Sequence, residues 1–162
     1  MSGTVPGMQM PERSGPLTGF RIVDMTSVLM GPFATQVFGD YGADVVKVES
    51  PEGDLMRVAG AMRNPKMGAL FLHNNRNKRS IVLDLKDRLG REALLRLCET
   101  ADVLVSNVRS DAMARLGLTY DDVKAVNPGI VYASLVGYGQ AALMPSGPPM
   151  TTWSRASAPF PL

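Results

Sequence analysis

Between Gly19 and Gln140 the sequence switches repeatedly between two periodicities, and this alternation restricts the fold more than any other feature. Five short β-prone runs recur: Phe20–Thr26 (FRIVDMT), Ala43–Glu49 (ADVVKVE), Ser80–Leu85 (SIVLDL), Asp102–Val108 (DVLVSNV) and Gly129–Leu135 (GIVYASL). Helical segments separate them. Gly31-Pro32 opens the first, because proline in the first turn loses no needed hydrogen bond. Val37, Phe38 and Tyr41 share one face of it, and Gly42 is a C-terminal stop. Asp87–Thr100 is the clearest helix, with Leu89, Ala93, Leu94, Leu97 and Cys98 at helical spacing. Short helices are predicted around Asp111–Leu116 and Tyr120–Val126. Strands separated by helices imply an α/β fold, a parallel sheet with right-handed crossovers.

The two ends differ from this body. Residues 1–18 are rich in Gly, Pro, Ser and Met without periodicity, and read as a flexible leader. Residues 141–162 contain 5 of the chain's 12 prolines, its only Trp and no acidic residue. They are expected to be disordered.

Composition excludes several function classes. The 162 residues carry a net charge of +2, too small to argue for nucleic acid. There is no run of about 20 apolar residues for a membrane span. The first residues have no apolar core of a signal peptide. One cysteine, Cys98, cannot form an internal disulfide, and one histidine, His73, rules out any site needing two. A cytoplasmic protein without a metal site is expected.

Three features invite chemistry. Glu49 ends the second strand, where dinucleotide-binding folds place a ribose-binding acid, but the loop TSVLMGP lacks the G-x-G-x-x-G that lets backbone approach a pyrophosphate. Glu49 is therefore read as a solvated strand end. Asp24 ends the first strand without the paired acids of a magnesium pocket, so a capping or turn role is expected. The segment Arg57–Arg115 is net +6, and NNRNKRS packs Arg76, Lys78 and Arg79 beside amides. That mixture suits phosphate, although a solvated basic loop accounts for it as well.

GFRIVDMTSVLMGPFATQVFGDYGADVVKVESPEGDLMR resembles the opening of the family III CoA-transferases, the group of formyl-CoA transferase, carnitine CoA-transferase (CaiB), BaiF and α-methylacyl-CoA racemase. NRNKRSIVLDLKDRLGREALLRL, ADVLVSNVRSDAMARLGL and NPGIVYASLVGYGQ resemble its next three blocks, in order, so the likeness spans Gly19–Gln140. The resemblance implies a Rossmann-like parallel sheet, incomplete relative to the full family fold, and interlocked homodimers. It implies acyl-CoA and a small carboxylic acid as substrates, with no tightly bound cofactor. The CoA contacts it implies are Val28, Leu29 and Met30 beside the active site, Leu83, Asp84, Leu85 and Lys86 on the adenosine side, and Asn107, Val108, Arg109 and Arg115 at the nucleotide end. The residue types agree, since Lys86, Arg109 and Arg115 suit phosphates while Leu83 and Val108 suit a purine face. Leu29 stands where the formyl transferase has a polar active-site residue, which argues against formyl or oxalyl substrates. Ser50 stands where some members carry an arginine.

The family mechanism is covalent. An aspartate attacks the thioester, and CoA passes to an acceptor acid; racemases of the group move a proton instead. That aspartate follows the GYG turn at some distance, and no Asp of this chain matches it. The tail bears on this. Read one base out of register, Ala-Leu-Met-Pro can encode Gly-Pro-Tyr-Ala, and Pro-Pro-Met-Thr-Thr-Trp-Ser can encode Ala-Tyr-Asp-Asp-Leu-Val. Those are the family's next motif, so a frameshifted tail and an inactive N-terminal fragment are expected.

Overall fold

The computed structural model describes residues 14–137. Five strands, β1 (Arg21–Met25), β2 (Asp44–Glu49), β3 (Lys78–Val82), β4 (Val103–Ser106) and β5 (Val131–Ser134), form one sheet in the order β3-β2-β1-β4-β5. Every pairing is parallel. The helices are α1 (Met30–Asp40), α2 (Ala69–Asn74), α3 (Arg88–Cys98), α4 (Ser110–Leu116) and α5 (Tyr120–Val126), with a single 3-10 turn at Leu55–Arg57. The chain builds outward from β1 to β3 and then crosses to β4. The strand order therefore reverses between β1 and β4, and the carboxyl ends beside that reversal are where open α/β sheets bind ligands.

The two faces of the sheet differ in kind. Val23 and Met25 of β1 and Leu104 of β4 pack with Leu94 and Cys98 of α3, Met113 of α4, Val123 of α5, and Leu118 and Ile130. Leu94, Cys98, Leu104, Leu118 and Val123 are fully buried, so this layer holds the main core. Fully burying one such side chain is worth about 1.5–3 kcal/mol. The opposite face begins with a small apolar cluster, Ile22, Ala43, Val45 and Val105. Toward the carboxyl ends it turns ionic. Period-two alternation puts Asp24, Lys47 and Glu49 on the same face as Ile22 and Val45, and all three are buried.

Local chemistry sets the element ends. Asp87 caps α3, its Oδ1 accepting from the Leu89 N–H at 2.7 Å. Thr119 and Asp122 form a reciprocal capping box that starts α5. Gly117 ends α4 in the left-handed conformation.

Several expectations need correction. β3 runs over Lys78–Val82 rather than Ser80–Leu85. Leu83 still donates to Glu49 O at 2.9 Å, but then Asp84 turns the chain, its Oδ1 accepting from the Lys86 N–H. The face of α1 that turns inward is Gly31, Pro32, Thr35 and Gln36; Phe38 and Tyr41 are exposed. A polar sheet face selects small and hydroxyl side chains, which an apolar-periodicity search passes over. Helix α2 went unforeseen because its six residues are too few to show a period. Residues 14–18, read with the leader, form a turn in which the Leu17 N–H donates to Tyr41 O at 2.9 Å. The rest of the leader, and the tail 141–162, lie outside the described residues.

Candidate functional site

A cavity of about 530 Å³ opens at the carboxyl ends of β1 and β2. Its walls are Met25–Val28 after β1, Lys47–Leu55 at the end of β2 and beyond, Leu83–Lys86 after β3, and Val108 and Leu116 from the β4 side. Gly90 makes the third wall possible. A Cβ there would lie 2.0 Å from Asp84 O, so only glycine lets the Leu83–Lys86 segment cross the first turn of α3.

The loop after β1 is clamped residue by residue. Thr26 gives its N–H and hydroxyl to Asp24 Oδ1 at 2.9 and 2.5 Å, and its carbonyl accepts from Lys47 Nζ at 2.8 Å. Ser27 is held by Asn107, whose Oδ1 accepts from the Ser27 N–H and whose Nδ2 donates to the Ser27 carbonyl. The Val28 N–H reaches Asp54 Oδ1 at 3.4 Å. Val28 has φ +73°, a conformation that a β-branched residue adopts only when its surroundings impose it. Strained backbone of this kind clusters at ligand clamps and active sites.

Three ion pairs support the loop from below. Lys47 Nζ lies 2.9 Å from Asp54 Oδ2, with both side chains 1% exposed. Arg57 grips Glu49 with two bonds, Nε to Oε2 at 2.6 Å and Nη2 to Oε1 at 2.7 Å, and stacks 3.7 Å from the ring centroid of Phe71. Lys78 Nζ lies 3.0 Å from Asp24 Oδ2. Burial pushes the Glu49 carboxyl up, but the bonds from Arg57, Ser80 and the Asp54 amide outweigh it and hold it at about 2. Burial likewise pushes Asp24 up and Lys78 down. At Asp24 the attraction of Lys78 and Lys47, with bonds from Thr26 and Thr35, wins, and its carboxyl stays below the usual range. Asp24 and Glu49 are thus ionised at neutral pH.

These partners revise the readings of the charged residues. Glu49 is a buried node and not a solvated strand end. Asp24 does make the expected turn contact with Thr26, and carries a buried ion pair besides. In the basic stretch Arg76–Arg79, Arg76 and Arg79 are about half exposed, as a solvated loop would have them, whereas Lys78 is buried, and each is ion-paired. Arg76 pairs with Asp40, Lys78 with Asp24, and Arg79 with Asp44, so three cations staple β3 to the preceding β1-α1-β2 unit.

The structure distributes the expected CoA contacts unevenly. Val28, Leu83, Asp84, Leu85, Lys86 and Val108 line the cavity together. Leu29 and Met30 start α1 and are exposed without lining it. Asn107 sits at the seam between β1 and β4, engaged with Ser27. Arg109 precedes α4, exposed, with its Nε 3.9 Å from Asp111 Oδ1. Arg115 lines a neighbouring cavity that shares Leu85, Lys86 and Leu116 with the first. The residues missed were Lys47, Asp54 and Arg57. One signal pointed to them: Lys47 is in phase with buried Val45 in ADVVKVE, and a lysine facing inward needs a buried partner.

Among the described residues no cluster of metal-ligating side chains occurs, and no helix is long and apolar enough to cross a membrane. Comparison with known proteins identifies the scaffold. The pattern of CoA-transferase family III matches residues 17–151. The chain is 43% identical over 138 residues to the succinate–glutarate CoA-transferase of Agrobacterium fabrum, covering 81% of this chain and 34% of that protein. It is 48% identical over 126 residues to the formyl-CoA:oxalate CoA-transferase of Streptomyces coelicolor, covering 76% and 30%. The crystal structure of a CAIB/BAIF family protein from Brucella suis superimposes with a TM-score of 0.79 at 37% identity, covering 84% of this chain and 37% of that one. The chain thus spans about a third of the length of the curated relatives it matches. Strand order, cleft and sequence lead to one assignment: the chain belongs to CoA-transferase family III.

Proposed function

We propose that residues 19–140 form the CoA-binding part of an acyl-CoA:carboxylate CoA-transferase. The observation that carries this reading is the convergence of Val28, Leu83–Lys86 and Val108 on one cleft at the strand ends. These are the positions that the family resemblance assigns to CoA, and they come from three separate stretches of sequence. The cleft combines apolar walls with Lys86, which suits an elongated ligand that is neutral along its arm and charged at one end. The strained Val28 loop then borders the thioester.

In the reaction, a carboxylate oxygen attacks the acyl carbonyl carbon, the C–S bond breaks and CoA leaves as the thiolate. An acceptor carboxylate then takes the acyl group from the enzyme carboxylate, which is freed, and the thiolate attacks the acceptor-derived carbonyl of the resulting anhydride, giving the new thioester and releasing the donor acid as its carboxylate. The buried carboxylates beside the cleft, Glu49 and Asp54, are already engaged by Arg57 and Lys47. That engagement favours a nucleophile outside the described residues. The 162 residues by themselves are then a CoA-binding fragment without turnover, with a non-native tail after Gln140. Relatives named for succinate–glutarate and for formyl-CoA:oxalate match with similar identity, so the acyl group is left open.

The other parts of this reading follow from the exposed surface. Met30, Phe33, Phe38 and Tyr41 on the outer side of α1 are exposed and apolar, which supports a homodimeric assembly. A cytoplasmic location fits acyl-CoA substrates. The test is calorimetric titration of the chain with CoA, together with an acyl-CoA panel followed by mass spectrometry. CoA binding without acyl transfer is the expected result, and failure to bind CoA refutes the reading. Transfer by these residues alone refutes the fragment reading, and proton exchange next to the thioester carbonyl identifies a racemase.

A further inference from the structure

Lys47 is a charge placed where the fold needs none. It lies in the middle of β2, in phase with buried Val45, and its side chain is removed from water together with that of Asp54. An apolar residue would be buried there without a partner to find. Replacing a buried ion pair by apolar side chains of similar volume is often neutral or stabilising. Stability alone therefore does not account for the Lys47–Asp54 pair.

What the pair holds is the loop after β1. Lys47 Nζ donates to the Thr26 carbonyl at 2.8 Å and to Asp54 Oδ2 at 2.9 Å. Asp54 Oδ1 accepts from the Val28 N–H at 3.4 Å and from the Met56 N–H at 2.9 Å. The Asp54 N–H is in turn fixed to Glu49 Oε2 at 3.1 Å. One ion pair thus grips the backbone on both sides of Ser27. Thr26, Ser27 and Val28 all line the first cavity. Lys47 and Asp54 form its floor, but the ammonium and both carboxylate oxygens have partners inside the protein. Their influence on a ligand therefore passes through the loop. The wall formed by Leu83–Lys86 is shaped by other contacts, the Asp84 turn and the crossing over Gly90.

We propose that Lys47, acting through Asp54, is a positioning residue that holds Thr26–Val28 in the shape that receives the pantetheine-thioester half of CoA, and that it leaves binding of the nucleotide half untouched. This inference rests on the CoA-binding reading above and adds to it a residue that makes no contact with the ligand. The physical basis is a population. Val28 at φ +73° is in a conformation that its surroundings must impose, so releasing the clamp lets the loop leave it. If the receptive shape falls to about a tenth of the population, apparent affinity falls about tenfold.

The test is titration of the whole chain with CoA and with adenosine 3′,5′-bisphosphate, the nucleotide half without the arm. Wild-type protein is expected to bind CoA at least about tenfold tighter than the nucleotide half. In Lys47→Met/Asp54→Asn, which leaves no stranded charge, CoA affinity is expected to fall about tenfold while affinity for the nucleotide half stays at the wild-type value. That selective loss is something general destabilisation does not produce. Thr119→Ala, which weakens the cap of α5 on the other side of the sheet, is the control and is expected to keep the wild-type ratio. Val28→Gly loosens the same loop without touching the pair, and is expected to lower CoA affinity selectively as well. Equal binding of the two ligands by wild-type protein overturns this inference and leaves CoA binding intact. Binding of neither overturns both. An unchanged ratio in the double variant, an unchanged ratio in Val28→Gly, or an equal shift in Thr119→Ala overturns the positioning role. The Val28→Gly arm does not depend on the double variant folding.

Discussion

Asn107 and Ser27, 80 positions apart in sequence, hold each other by two hydrogen bonds: Asn107 Oδ1 accepts from the Ser27 N–H at 3.0 Å, and Asn107 Nδ2 donates to the Ser27 carbonyl at 2.9 Å. The amide behaves as a piece of backbone inserted between the loop after β1 and the loop after β4. It spans the point where strand order reverses, and so fixes one wall of the cleft relative to the other. Replacing it tests this. Asn107→Asp keeps the acceptor but sets a second oxygen against the Ser27 carbonyl, so a loss of about 1–3 kcal/mol of stability is expected from the lost bond and the unpaired group. Chemical denaturation measures it, and a variant as stable as wild type contradicts the clamp.

Val28 offers the reverse experiment. Its φ of +73° costs a β-branched residue of order 1–3 kcal/mol, and its side chain is 42% exposed, so little packing is lost on removing it. Val28→Gly is expected to leave thermal stability equal or higher, while CoA binds more weakly because the loop is no longer held in one shape. A clear fall in melting temperature would show that Val28 contributes packing that outweighs its strain.

The Lys47–Asp54 pair has both side chains removed from water. Lys47→Met leaves Asp54 buried without its counter-ion, which costs about 3–5 kcal/mol. The double variant Lys47→Met/Asp54→Asn removes the stranded charge and recovers much of that loss. Urea denaturation of the two variants side by side decides the matter: equal midpoints would mean that the charge itself is unimportant.

Glu49 connects the same network to pH. Its carboxyl titrates at about 2 in the folded chain, against an ordinary value of 4.5. A depressed value means that the folded state holds the ionised form. The stabilisation is fully present above pH 4.5 and is lost as pH falls from there toward 2. The difference corresponds to on the order of 3 kcal/mol. Unfolding free energy measured between pH 6 and pH 3 is expected to fall in wild-type protein and to fall less steeply in Glu49→Gln.

Cys98 gives a simple check on the core. It is fully buried among the α3 and α5 side chains, and burial pushes its thiol up to about 11. Native protein at pH 8 is expected to resist iodoacetamide and to react once unfolded, since the thiolate is the nucleophile. Rapid labelling of folded protein would mean that the α3 face opens.

The apolar half of the fold was legible from residue order alone. Leu94 and Cys98 at helical spacing, and the alternation within FRIVDM and DVVKVE, set α3, β1 and β2 to within a residue or two of their observed ends. Hydrophobic periodicity is a local property, so it survives in a one-dimensional reading. The ionic half was not legible. Asp24 meets Lys78 across 54 positions, and Asn107 meets Ser27 across 80. Each side chain alone reads as an ordinary polar surface residue. Whether Lys47 or Arg79 ends in water or against a carboxylate depends on which strands become neighbours. Only the order β3-β2-β1-β4-β5 brings those charges together, because a buried charge is tolerated where its partner is delivered by another segment of the fold.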